Sequence, residues 1–338
     1  MSYQINSSES VPGFRSKFGF ALALGTLLIG GLLACAGPKP ELVVFQNENL
    51  FPEGVVYDAR RSRFLVSSLK KGVIGTVNDD GAYASFIQDE RIVSAIGLHI
   101  DEQRDRLIVC VSDPGVSVRT AAATQKKLAG LGVYSLADGQ NLFFQNLAAN
   151  DPRPGAAHFA NDATVDGEGN IYVTNSFSPV IYKVTPDYQV SEFVRDQRFA
   201  GDGFRLNGVD LFGDALIVAN SSAGTLTRIP LADPGAMTEV KLEEPLFAAD
   251  GVTRINDRQL VVITNSPVGE AKPTVFFLES DDNWASAKVT KRVTKDWQFP
   301  TTADVRDGEV YVLQAKLNIL FSGSGEIVSE FDIHNVSR

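Results

Sequence analysis

A chain of 338 residues, 44% hydrophobic and 21% charged, has material for an extensive core and is neither disordered nor fibrous in composition. Its formal net charge of −10 argues against nucleic acid and anionic lipid headgroups as partners. Only Cys35 and Cys110 are present, which excludes a disulfide framework.

The first segment to read is the uncharged, mostly apolar run from Phe18 to Ala34, preceded by Arg15 and Lys17 and ending in Leu32-Leu33-Ala34-Cys35. A basic flank, an apolar centre and small terminal residues form a secretory signal. The last four residues resemble a bacterial lipobox, which implies a lipidated Cys35 as the mature N-terminus. Ala36 after it, rather than Asp, resembles lipoproteins sent to the outer membrane of a Gram-negative cell. An uncleaved membrane anchor is the alternative. The expected organisation is a leader over 1–34, a tether over 35–40 and a folded domain over 41–338. That domain would sit in the cell envelope, facing the periplasm, joined to the membrane through its lipid. Losing Glu9, Arg15 and Lys17 with the leader leaves the mature chain more acidic still. With Cys35 acylated, Cys110 has no partner and reads as a small buried hydrophobe.

Beyond the tether, Leu42–Gln46 has strand character, and six similar units follow. The first opens with Glu53-Gly54-Val55 and continues in Arg63-Phe64-Leu65-Val66-Ser67-Ser68. The second pairs Ile96-Gly97-Leu98-His99 with Arg106-Leu107-Ile108-Val109-Cys110. Within it, Thr120–Leu128 is a weak helix candidate and reads as an insertion. The third opens with Asn161-Asp162-Ala163 and runs through Asn170–Asn175, Val180–Val184 and Val190–Val194. The fourth is Asn207-Gly208-Val209, then Ala215–Asn220, Thr225–Ile229 and Thr238–Leu242. The fifth is Asp250-Gly251-Val252 with Gln259–Asn265. The sixth is Thr302-Ala303-Asp304-Val305, then Glu309–Leu313, Asn318–Phe321 and Glu326–Ile333.

In each unit a turn of Asp, Asn, Gly or Arg joins two apolar runs, which predicts a hairpin. The openers recur every ~50 residues, the length of four strands with their loops. The predicted fold is all-β, a six-bladed β-propeller of four-stranded blades. Leu42–Gln46 and Glu326–Ile333 compete for the outer edge of blade 6. Both are predicted to be strands there, with the N-terminal one closing the ring.

The innermost strands of a propeller converge on its axis, so the openers meet although they are distant in sequence. Glu53, Asn161, Asn207 and Asp250 then supply two carboxylates and two amides. Oxygen donors without Cys or His suit calcium, or another hard dication such as magnesium, better than zinc. The plainer reading is that Asn-Gly, Asn-Asp and Asp-Gly are ordinary turn dipeptides. Their recurrence at equivalent positions, beside Ile96 and Thr302, favours a central metal site. His158, three residues before Asn161, is a candidate proton shuttle, although a lone His is more often a loop residue. His99 lies in the first strand of blade 2, and His334 reads as surface. No G-x-S-x-G, H-E-x-x-H or phosphate-binding loop is present, and Gly201–Leu206 lacks the third Gly of a dinucleotide motif.

Pro52-Glu53-Gly54, Asn161-Asp162-Ala163-Thr164-Val165-Asp166, Asn207-Gly208 and Asp250-Gly251 resemble the senescence marker protein/gluconolactonase group of six-bladed propellers. The resemblance extends over residues 43–338, and that group is kin to paraoxonase and diisopropyl fluorophosphatase. It implies a catalytic calcium held by a Glu, two Asn and an Asp from blades 1, 3, 4 and 5, here Glu53, Asn161, Asn207 and Asp250. The chain departs in having Ala160, Leu206 and Ala249 where the group often has Pro. His158 and Phe159 stand where an Arg often introduces the Asn-Asp motif. The expected activity is calcium-dependent hydrolysis of a lactone, ester or phosphoester as small-molecule substrate. Asp250 would serve as base or nucleophile, Glu53 would anchor the ion, and a monomer is expected. The alternative is a non-catalytic cell-envelope binding propeller with a structural metal.

Overall fold

Burial sorts the strands of this chain into inner and outer ones. Ala215–Asn220 is buried at every position because neighbouring sheets cover both its faces. Gln259–Thr264 is likewise buried beyond its first residue. Lys288–Thr294 instead alternates exposed and half-buried residues, as Lys-Val-Thr-Lys-Arg-Val-Thr reads on an outer strand.

The computed structural model describes residues 39–151, 153, 155–265 and 272–337, together with 1, 2, 4 and 13. Lys39–Arg338 pack as one unit, whose strands form six four-stranded sheets. Cys35 and most of the leader lie outside the described residues. The fold is the six-bladed propeller that the repeat predicts. Its innermost strands are Val55–Asp58, Ser94–Asp101, Ala160–Val165, Leu206–Phe212, Ala249–Asn256 and Pro300–Arg306. In blades 1 to 5 four consecutive strands follow in chain order from axis to rim. Apolar layers fill the gaps between sheets, as where Leu65 and Ile74 of blade 1 pack with Leu107 and Val109 of blade 2.

Side chains near the axis also lace successive blades together. Asp162 accepts a hydrogen bond from the Val209 amide at 3.1 Å, and Asp210 from the Arg254 amide at 2.8 Å. Asp304 accepts from the Tyr57 amide at 2.5 Å, which joins the last blade to the first.

Blade 6 is built from both ends of the described chain. From axis to rim it runs Pro300–Arg306, Glu309–Gln314, Glu330–Asn335 and Leu42–Gln46. The N-terminal strand is outermost and pairs antiparallel with Glu330–Asn335, Leu42 opposite His334 and Gln46 opposite Glu330. Ring closure by that strand was expected, but the interior of the blade differs. Asn318–Phe321 is not a strand; it lies in the short helix Leu317–Ser322. Lys316, at a φ of 54°, turns the chain out of the sheet, and Leu317 and Leu320 share the buried side of the helix. The C-terminal strand therefore takes third place, leaving the rim to the N-terminal one.

Thr120–Leu128, the helix candidate, is a series of turns. The Asp113 carboxylate accepts hydrogen bonds from Gly115, Thr120, Ala121 and Thr124, and the Lys126 amide bonds back to the Asp113 carbonyl. Those side-chain bonds compete with a helical ladder.

Candidate functional site

The openers owe their direction to irregular pairing. Each inner strand from blade 2 to blade 6 shifts register against its second strand: at Ala95/Leu98, Ala160/Ala163, Leu206/Val209, Ala249/Val252 and Pro300/Ala303. Ile96, Asn161, Asn207 and Asp250 sit inside these bulges, which re-aim side chains. Glu53 stands just ahead of its strand. All five line a single cavity of about 640 Å³ at the axis. The glycines after the openers serve close packing rather than turns. A Cβ on Gly208 would lie 2.3 Å from the Val252 nitrogen, and one on Gly54 would lie 2.6 Å from the Ile96 carbonyl oxygen.

A supporting set of hydroxyls and amides comes from the ends of second strands and from the first strand of blade 6. Buried Ser67 accepts from the amides of Glu53 at 3.2 Å and Gly54 at 2.7 Å. The Glu53 carbonyl accepts from the hydroxyls of Thr301 and Thr302 across the ring closure. Asn161 donates its side-chain amide to Ser176 at 2.9 Å. Thr174 donates to the Asn207 carbonyl at 2.8 Å, and Asn265 donates to Asp250 Oδ2. Ser67→Ala should therefore leave two backbone donors unpaired beneath Glu53. We expect a loss of about 1–3 kcal/mol, read as a fall of roughly 2–6 °C in melting temperature. An unchanged melting curve would show that Ser67 does not brace the opener.

Charge is out of balance in this cavity. Glu53, Asn161, Asn207 and Asp250 are all buried, and Glu53 Oε2 and Asn207 Oδ1 have no hydrogen-bond partner. Burial pushes the Asp250 carboxyl up to about 8, although hydrogen bonds from Asn207 and Asn265 oppose the shift. Burial, then the charges of Asp250 and Asp162, hold the Glu53 carboxyl well above its usual range. Among the described residues, no Lys, Arg or His lines the cavity. Two carboxylates starved of positive charge, with two idle buried oxygens, are a donor set that fits a hard dication. Among the described residues no group of three or more His, Cys, Asp or Glu is placed to hold a metal ion; in the axial set two of the four donors are amides.

The histidines lie elsewhere. His158 is not among the residues lining the axial cavity. Its Nδ1 is 3.0 Å from Asn175 Nδ2 and 3.3 Å from Ser178 Oγ, and its Nε2 is 3.8 Å from Asp151. It is buried in a polar cluster beneath the approach to Asn161. His99 lines a small separate cavity with Asp162, Asp210 and Asp304. His334 is half-buried in blade 6, bonded to Asp332 and Gln314, rather than a free surface group. Cys110 is buried with a free thiol.

The walls of the cavity carry none of the opener motifs. Phe159, Phe204, Phe247, Phe299 and Phe321 line the cavity above the polar base. A signal existed, since Phe51, Phe159, Phe204, Phe247 and Phe299 each stand two or three residues before an opener. Three residues at these entries, Phe51, Ala248 and Phe299, have φ of 48°, 56° and 59°, backbone strain of the kind found at functional sites.

Fold and site together define a six-bladed propeller with an oxygen-lined axial cavity. No family model matches the chain. It is 24% identical to the major allergen Mal f 1 of Malassezia furfur over 350 residues, spanning 95% of this chain and 98% of that protein. Among solved structures, the Malassezia sympodialis allergen Mala s 1 superimposes with a TM-score of 0.68 at 20% identity, over 88% of this chain and 96% of that one. A gluconolactonase from Xanthomonas campestris superimposes with a TM-score of 0.56 at 14% identity, over 87% and 89%. The fold is thus that of the gluconolactonase-like six-bladed propellers, as the opener motifs implied.

Proposed function

We propose that the chain is a metal-dependent hydrolase of a small carbonyl or phosphoryl compound. The observation that carries this reading is the pair of buried, unpartnered oxygens, Glu53 Oε2 and Asn207 Oδ1, in a cavity roomy enough for a substrate. Glu53, Asn161, Asn207 and Asp250 would hold calcium, or magnesium in its place. When bound, the ion would supply Lewis acidity toward the substrate's carbonyl or phosphoryl oxygen. Asp250 is the residue to take a proton from the attacking water, with Asn265 holding its Oδ2 in place. Glu53 would contribute the second negative charge, its backbone fixed by Ser67 and the two threonines. The presence of a gluconolactonase among the structural neighbours supports a hydrolase.

A structural metal in a binding propeller would call for a closed shell of ligands, and the open cavity favours catalysis instead. On the same reading the propeller works in the cell envelope, tethered through an acylated Cys35. Among the described residues no helix is long and apolar enough to cross a membrane.

The test is a hydrolysis screen over lactones, aryl esters and phosphotriesters, with added calcium and with a chelator. Turnover of one class, lost on chelation and restored by calcium, is the expected outcome. If no class turns over while calcium still raises the melting temperature, the metal is structural and the enzyme reading fails.

A further inference from the structure

We propose that the axial cavity takes a neutral molecule with an elongated apolar body, its carbonyl seated on the oxygen ring and its body lying across Phe204 and Phe321. This deepens the hydrolase reading by naming the substrate class, and rests on it for what happens to the carbonyl.

Three observations carry it. The first is the division of the cavity into a polar base and apolar walls. Oxygen and amide groups gather around Asp250, while phenylalanines form the sides. A sugar lactone carries hydroxyls all round its ring, and burying them against phenyl faces without partners costs free energy at each group. With no cationic side chain lining the axial cavity, among the described residues, an ionised group held within it would also be unpaired.

The second is how the aromatic wall is built. Phe159, Phe177 and Phe204 pack as a triangle with ring centroids 5.0 to 5.3 Å apart. Despite that bracing, Phe204, Phe247 and Phe321 remain 39%, 43% and 47% exposed. Three large apolar side chains gathered at one mouth form a surface that a ligand would desolvate favourably. The third is continuity. Phe204 and Phe321 also line a second cavity of about 490 Å³, bordered by Pro114 and Phe177 and also by Lys126 and Asp202. The two rings therefore form a sill between compartments, and a chain passing over it would bury apolar surface on both sides.

Titration calorimetry with alkan-2-ones from butan-2-one to decan-2-one tests this on the calcium-loaded protein, with D-glucose as the polar comparison. These ketones present a neutral carbonyl and cannot be hydrolysed. The dissociation constant is expected to fall about two- to fourfold per added methylene. In a Phe204→Ala/Phe321→Ala variant that gradient should flatten, and circular dichroism should be unchanged because both side chains are exposed. Affinity independent of chain length, the same gradient in the double variant, or tighter binding of glucose than of octan-2-one would overturn the proposal. Binding does not depend on turnover, so the two readings fail separately. A chain-length gradient without ester hydrolysis sinks the hydrolase and keeps the apolar site. Calcium-dependent turnover with no gradient does the reverse.

Discussion

Asp250→Asn is expected to reduce hydrolysis by about 10²–10⁴-fold, the loss that follows removal of a positioned general base. The amide is nearly the same size as the carboxylate and can still present an oxygen to Asn265, which donates to Asp250 Oδ2. Neither the bulge at Ala249/Val252 nor the tight approach of Gly208 depends on the charge. The variant should therefore keep its circular dichroism spectrum and melt within a few degrees of the parent. Glu53→Gln is the contrasting case. It removes an anionic oxygen with no hydrogen-bond partner, so its first effect should fall on calcium affinity, by roughly tenfold or more on the scale seen when a metal site loses a supporting group. Turnover in Glu53→Gln should recover at saturating calcium, whereas in Asp250→Asn it should not. Full turnover of Asp250→Asn under saturating calcium would remove it from the role of base.

The openers were readable because two constraints act on the same dipeptide. An oxygen-bearing side chain is wanted at the axis, and the next position must admit a neighbouring strand, which at Gly208 leaves no room for a Cβ. Turn chemistry favours the same residues, so only recurrence in equivalent places told the two apart. The helix at Leu317–Ser322 was not readable, since Asn-Ile-Leu-Phe is too short to show a helical or a strand period. What decided it was distant: the third place in that sheet goes to Glu330–Asn335 and the fourth to a strand from the other end of the chain. The phenylalanine walls failed to register for a different reason. Each Phe taken alone is an unremarked apolar residue near a strand, and only alignment to the openers shows that they stand together at one mouth. Ser67, Ser176 and Asn265 were passed over likewise, because their work is hydrogen bonding to an opener that sequence does not show as adjacent.

Deleting residues 41–46 should lower the melting temperature by about 10 °C or more, the largest stability effect expected of any short deletion at the chain's surface. The strand looks dispensable by position, since it is the outermost of its sheet and Leu42 and Val44 are exposed. Its other face is core. Val43 and Phe45 are almost completely buried, and the Phe45 ring lies 6.0 Å from Phe331 and 6.4 Å from Tyr83 of blade 1. The strand thus fills the seam between the last blade and the first. Removing a buried Phe alone costs about 3–5 kcal/mol, and Val43 with the ladder to Glu330–Asn335 adds to it. At roughly 2 °C or somewhat less per kcal/mol for a domain of this size, the sum reaches the stated shift. Losing the strand also uncovers the edge of Glu330–Asn335, whose free backbone groups invite pairing with a second chain. Aggregation on heating should accompany the lower melting point. Val43→Ala/Phe45→Ala separates the two contributions: it should lose most of the stability while keeping the edge covered, and so melt early without aggregating. A deletion variant that melts with the parent would mean that the C-terminal strand closes the ring by itself.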